Sequence, residues 1–208
     1  MLEFSIGFGK ELWSKQGKET KYTIRLIPLG GFCRMLGEEN QSDEEGAFNK
    51  APVWKRLLIV AAGAIVNIIF GLVVFTILAS IYNNSLHDGL IVTKRYIVSL
   101  WESFVMLVTG NSGNATVVGP VGISEMIVKT NGLFDFVYLL SIISVSLGIT
   151  NLLPIPALDG GKILILLIEL IRRKPMKEKT ELLITSIGLF LLLFVAVSVT
   201  IKDVGRII

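Results

Sequence analysis

The run Asn151-Leu-Leu-Pro-Ile-Pro-Ala-Leu-Asp-Gly-Gly161 places an amide, two prolines and a carboxylate inside a stretch that otherwise reads as a membrane helix. An aspartate near the centre of such a helix costs about 2.5–3.5 kcal/mol on insertion scales, so Asp159 marks a functional site by default. Pro154 and Pro156 each remove a backbone donor and interrupt the helical ladder. Interrupted backbone at membrane depth is tolerated where it is buried in protein or lines a wet cavity. These residue types together imply an aqueous site within the bilayer, faced by Asp159.

Other chemistry-bearing residues are sparse. His87 is the single histidine and Cys33 the single cysteine. One cysteine cannot form a disulfide within the chain, and a lone thiol says little. A zinc site built from Cys33, His87 and Asp159 is disfavoured, because the charge pattern below puts His87 and Asp159 on opposite sides of the membrane. Asn67 and Asn151 are amides within apolar segments. Such amides serve carbonyls freed by a helix break, or hold a substrate backbone or an oxyanion; both readings stay open. The acidic run Glu38–Gly46 reads as solvated linker.

The Asn151–Gly161 run resembles the asparagine–proline–proline–leucine–aspartate–glycine motif of the site-2 protease family of intramembrane zinc metalloproteases. The bacterial branch that includes the regulator of sigma-E protease is the nearest likeness. Glu3-Phe-Ser-Ile-Gly-Phe-Gly9, Arg25-Leu-Ile-Pro-Leu-Gly-Gly31, Pro52-Val-Trp-Lys-Arg56, Ala61-Ala-Gly63 with Asn67, and Gly119-Pro-Val-Gly-Ile123 follow in the family's order and tile most of the chain. The resemblance implies that Asp159 is a zinc ligand, the third of three. The other two would be histidines of a His-Glu-x-x-His helix preceding the Phe-Ser-Ile-Gly-like segment. That motif and the family's PDZ domain do not occur in this sequence. Zinc therefore belongs to the complete family member, and none is expected in this chain alone. The Asn114-Ala-Thr116 sequon is discounted on the bacterial likeness.

The elements that must position Asp159 are hydrophobic. Apolar residues make up 52% of the 208 residues and charged residues 18%, with a mean hydropathy of +0.68, which indicates a membrane protein. The predicted fold is mainly α: about three transmembrane helices with a small N-terminal membrane-associated β-sheet. The predicted organisation is a β-hairpin or sheet over 1–36 and an acidic loop with an interfacial anchor (Trp54, Lys55, Arg56) over 37–56. A transmembrane helix over 57–82 and an extracytoplasmic linker with an amphipathic helix over 83–135 follow. A broken transmembrane helix carries Asp159 over 136–175, and a last one spans 182–201. Gly63, Gly71 and Gly148 read as points of close helix contact.

Lysine and arginine concentrate before residue 57 and between 159 and 181, and are few between 83 and 135. The positive-inside rule places the first two regions in the cytoplasm, the linker and the C-terminus outside. The resemblance implies a bacterial inner or cytoplasmic membrane location. The net charge of +3 is accounted for by this topology and by anionic lipid; no nucleic-acid motif accompanies it. Phe4, Ile6 and Phe8 alternate with small residues, and Tyr22, Ile24 and Leu26 alternate with polar ones. The resemblance implies that this sheet pairs with an extended substrate along Ile6, Gly7, Phe8 and Gly9, the alternative being a plain surface hairpin that closes over the membrane helices; Asn151, Pro154 and Pro156 are the further candidate substrate-binding residues. The implied substrate is a single-span membrane protein or signal peptide, cleaved in regulated intramembrane proteolysis. The chain alone is expected to be a truncated, inactive form. The alternative is a non-catalytic pseudoprotease that binds membrane helices or signal peptides.

Overall fold

The computed structural model describes residues 1–38, 42–44, 46–109 and 120–207; Asn114–Thr116 and Gly119 lie outside them. Strands β1 (Glu3–Gln16) and β2 (Lys21–Arg34) are followed by a 3-10 turn at Phe48–Lys50 and six helices: α1 (Val53–Tyr82), α2 (Leu86–Thr109), α3 (Pro120–Val128), α4 (Leu133–Asn151), α5 (Asp159–Arg172) and α6 (Glu178–Ile207). The fold is mainly α with a small N-terminal sheet. Three helical segments, Val53–Tyr82, Leu133–Asn151 and Lys179–Gly205, are long and apolar enough to cross a membrane. The chain divides into two compact units, Met1–Leu58 and Ile59–Ile208.

In the first unit the two long strands bend, and so build more ladders than a simple hairpin. Lys21–Ile24 runs antiparallel to Trp13–Gln16 and parallel to Glu3–Ile6. Gly31–Arg34 runs antiparallel to the other side of Glu3–Ile6. The bend in β1 falls at Gly7 (φ 89°) and Gly9 (φ 81°), conformations open to glycine at little cost. A β-carbon at Gly7 would lie 2.8 Å from the Ile27 carbonyl oxygen. Glu3–Ile6 is thus an interior segment, and Trp13–Gln16 and Gly31–Arg34 are the outermost ones. Of the expected substrate-pairing segment Ile6–Gly9, Ile6 is flanked on both sides. Ile6 pairs with both Ile24 and Gly31, Phe8 pairs with Ile27, and the Gly9 carbonyl accepts from Arg25.

Arg25 ties the ladders together. Its Nη2 donates to Glu3 at 2.7 Å, its Nη1 to the Gly9 carbonyl at 3.1 Å, and its guanidinium sits over the Phe32 ring. Glu11 accepts from Lys21 at 2.8 Å. The other face presents Phe4, Ile6, Trp13, Tyr22 and Ile24, all exposed. Behind the sheet, the Leu36 carbonyl accepts from Phe48 N–H, and Arg56 stacks over the buried Phe48 ring. Ser42–Glu44, part of the acidic run, is held to Asn49, whose Nδ2 donates to the Ser42 carbonyl.

The second unit is organised by glycine contacts. A β-carbon at Gly71 of α1 would fall 2.6 Å from a Val145 methyl and 2.7 Å from the Ser141 carbonyl of α4. One at Gly148 of α4 would fall 2.6 Å from Ile68 and 2.7 Å from the Ala64 carbonyl of α1. The two helices are therefore antiparallel and nearly backbone to backbone, the small-residue packing available where lipid competes equally for apolar side chains. Ser144 adds a hydrogen bond to the Asn67 carbonyl at 2.9 Å. Gly63, expected at such a contact, has nothing within 4 Å of its would-be β-carbon. Helix α2 turns back along α1: Gly89 packs on Ser80, the Thr76 and Thr93 hydroxyls hydrogen-bond at 3.0 Å, and Tyr96 stacks on Phe75.

Two outcomes follow. Gly148→Val should destabilise the chain by about 1–3 kcal/mol through overpacking, whereas Gly63→Ala should stay within about 0.5 kcal/mol; thermal unfolding in detergent distinguishes them. In the sheet, the hydrogen bond from Arg25 holds the Glu3 carboxyl below the ordinary value of 4.5. Because the folded value is the lower, this contribution is fully present above 4.5 and is lost as pH falls through the depressed value. With Trp54 and Trp101 replaced by phenylalanine, Trp13 fluorescence should report a melting temperature that drops on acidification below that window. Arg25→Gln should lower stability at neutral pH by about 1–3 kcal/mol and flatten the acid dependence. An unchanged acid slope in Arg25→Gln would assign the drop to other groups.

Candidate functional site

The site is built by the segment between α4 and α5. Helix α4 ends at Asn151, where Leu152 N–H still reaches the Gly148 and Ile149 carbonyls. Pro154 then stops helical propagation, and Ile155 N–H turns back to the Leu153 carbonyl at 2.7 Å. Leu158 N–H donates to the Ile155 carbonyl at 3.1 Å, which closes a β-turn over Ile155–Leu158. Pro156 occupies its second position, and Ala157 its third with φ 76°. That is the type II pattern, in which proline supplies the required negative φ and the next residue must adopt positive φ. Glycine is the usual choice there, and alanine carries a strain of about 1–2 kcal/mol. Gly161 and Lys162 N–H groups then return to the Leu158 carbonyl, and α5 begins with Asp159.

Asp159 is half-buried in the first turn of α5, where the positive end of the helix dipole favours a carboxylate. The two glycines after it let the broken segment fold tightly onto α5. A β-carbon at Gly160 would lie 2.1 Å from the Leu153 carbonyl oxygen, and one at Gly161 2.4 Å from that of Ile155. Asn151 and Pro156 are half-buried and Pro154 is exposed, all within this segment. Ile6, Gly7, Phe8 and Gly9 lie in the first unit, where β1 bends.

Three contributors were not singled out by sequence reasoning. Ala157 is marked by its backbone conformation alone. Glu169 is buried on α5 and accepts from Met176 N–H at 2.7 Å, holding the turn into α6; its signal was a carboxylate in an apolar run. Asp203, buried on α6, accepts from Gly122 N–H at 3.0 Å and caps the first turn of α3.

A catalytic zinc needs three protein ligands and an open position. Among the described residues no group of three or more His, Cys, Asp or Glu side chains could hold a metal. His87 is exposed beside Asp88, just beyond the end of α1. The antiparallel α1–α4 pairing puts it at the opposite end of α4 from Asp159. A cavity of about 350 Å³ lined by Leu78, Tyr82, Val92, Phe134 and Tyr138 also lies at that opposite end.

The turn strain has a measurable consequence. Ala157→Gly should raise stability by about 0.5–1 kcal/mol, and Ala157→Val should lower it by about 1–2 kcal/mol, read by thermal unfolding in detergent. Destabilisation by glycine would show that Ala157 is held by its methyl contacts rather than strained.

The chain is 29% identical over 297 residues to a predicted zinc metalloprotease of Clostridium acetobutylicum, covering 97% of this chain and 88% of the relative. The aligned length exceeds the chain's own 208 residues, so the relative carries internal sequence that this chain lacks. A Streptococcus pyogenes relative is 46% identical over 128 residues, 61% of this chain and 30% of its own. The zinc metalloprotease RasP of Bacillus licheniformis is 39% identical over 124 residues, 59% of this chain and 30% of its own. The model of peptidase family M50 matches residues 1–195, and the chain, with its broken membrane segment delivering Asp159 to the start of α5, belongs to that family of zinc metalloproteases.

Proposed function

We propose that these 208 residues form the part of an intramembrane zinc peptidase that carries the third metal ligand, Asp159, and receives the substrate. The observation that carries this reading is the presentation of the Asp159 carboxylate at the start of α5, directly after the turn closed over Ile155–Leu158. The histidine pair is to come from a His-Glu-x-x-His helix outside this sequence, and the 208 residues alone hydrolyse nothing. The substrate is a membrane-embedded peptide, either a single-span protein or a signal peptide, cleaved in regulated intramembrane proteolysis. It must be extended before cleavage, because helical hydrogen bonds hide the scissile carbonyl. Such a strand adds to an outermost segment of the sheet, Trp13–Gln16 or Gly31–Arg34, not to Ile6–Gly9. Asn151 and Pro154, at the break, line the path toward Asp159. The lysine and arginine pattern orients the chain in a bacterial cytoplasmic membrane with the N-terminus and the Asp159 side cytoplasmic and the C-terminus outside.

The test compares the 208-residue chain with the same chain joined to a membrane helix bearing His-Glu-x-x-His. Alone, it should retain no stoichiometric zinc and leave a co-expressed single-span substrate intact. Joined, it should hold one zinc and cleave. Asp159→Asn should then reduce cleavage by about 100-fold or more while the protein still accumulates. One tightly held zinc in the chain alone, or full-rate cleavage with asparagine at 159, overturns the reading. A joined protein that captures the substrate without cutting it favours the pseudoprotease alternative.

A further inference from the structure

We propose that Gly188, in the middle of α6, is a positioning residue for Asp159. The purpose of that positioning rests on the proposed function; the mechanical link does not. A β-carbon at Gly188 would fall 2.3 Å from the Pro156 carbonyl oxygen, 2.4 Å from the Pro156 β-carbon and 2.5 Å from its carbonyl carbon. These are backbone and ring-root atoms, so no side-chain rotation relieves the clash. Normal contact needs about 3.5–4.0 Å, and any larger residue must push α6 and the turn apart by roughly 1 Å.

The displacement has nowhere to dissipate. Pro156 is also held close by α5, because a β-carbon at Gly161 would lie 2.8 Å from the Pro156 α-carbon. The turn itself is closed by the Leu158 to Ile155 hydrogen bond and spans no spare residue before Asp159. Moving Pro156 therefore moves the start of α5 and the carboxylate with it. Helix α6 is otherwise largely exposed; among its described residues only Gly188 and Asp203 are buried. Its seat on the turn is thus narrow, and that seat is where a change in α6 reaches the candidate site. The arrangement makes α6 a determinant of where Asp159 stands, although α6 contributes no reactive side chain there.

The test reads the position of residue 159 directly, in membranes and without zinc or cleavage. In a Cys33→Ser background, Asp159→Cys is modified with a water-soluble maleimide; Tyr82→Cys, exposed at the far end of α1, serves as a separate reporter. Gly188→Ala should change the rate at 159 by about threefold or more and Gly188→Val by about tenfold, with the rate at 82 unchanged. Gly205→Ala, on the same helix but with nothing within 4 Å of its would-be β-carbon, should leave both rates unchanged. Equal rates at 159 in Gly188, Gly188→Ala and Gly188→Val overturn the proposal. So does an equal change at both reporters, or failure of Gly188→Ala to accumulate, since either makes the glycine a folding requirement only. Because no metal enters the readout, the proposal can fail while the reading of Asp159 as a ligand stands, and the reverse.

Discussion

Backbone polar groups at membrane depth must be satisfied within the protein, and the candidate site is arranged around a place where the helical ladder is broken, between α4 and α5. Between Asn151 and Asp159 the chain gives up regular helix, yet four of its amides find carbonyl partners close by. Leu152, Leu153, Ile155 and Leu158 each donate to a carbonyl within four residues. Two short turns thus replace the missing helical bonds. Proline is tolerated there because it sits where a turn needs no donor: Pro154 inside the Leu153–Ile155 turn and Pro156 at the second position of the next.

Compact turns free space that only close backbone approach can fill. Glycine supplies it three times, at Gly160 and Gly161 from α5 and at Gly188 from α6. The same device joins α1 to α4 through Gly71 and Gly148. In water an apolar face drives such packing; in lipid the hydrocarbon competes on equal terms, so contact surface and backbone proximity decide which helices associate. Larger side chains at these five glycine positions would move whole elements rather than neighbouring rotamers. The sheet of the first unit is held by a different force, a guanidinium hydrogen-bonded to Glu3 and the Gly9 carbonyl and stacked on Phe32.

How far the sequence reveals this differs between residues for physical reasons. The three spans are legible because long uncharged apolar runs have few alternatives. The broken helix is legible because prolines and a carboxylate inside such a run contradict simple spanning. The alternation of Tyr22, Ile24 and Leu26 gives a strand, but not the bend that folds β1 beside two segments of β2. Pairing partners depend on long-range geometry, and so the flanking of Ile6 on both sides is not read from the alternation. Gly63 and Gly71 look alike in one dimension, eight residues apart on α1. One faces open space and the other the α4 backbone, and no local pattern separates them. Gly188 is hidden for the same reason. Ala157 carries a left-handed conformation that its residue type argues against.

A single carboxylate delivered in this way is a geometric commitment more than an electrostatic one. At the start of α5 the helix dipole supplies about 0.3–1 kcal/mol in favour of the charged side chain, less than the insertion cost of about 2.5–3.5 kcal/mol for an aspartate at the helix centre. The remainder must come from water reaching the broken segment or from neighbouring groups. Strain at Ala157 adds to the cost instead of offsetting it. A fold that sought stability alone would place glycine at position 157 and an uncharged residue at 159. Retaining alanine at positive φ, two prolines and a half-buried aspartate in eleven residues is intelligible when the position of the carboxylate is itself the requirement. Helix α5 then serves as the rigid mount, the type II turn as its hinge-free connection, and α6 as the wall against which that turn is set.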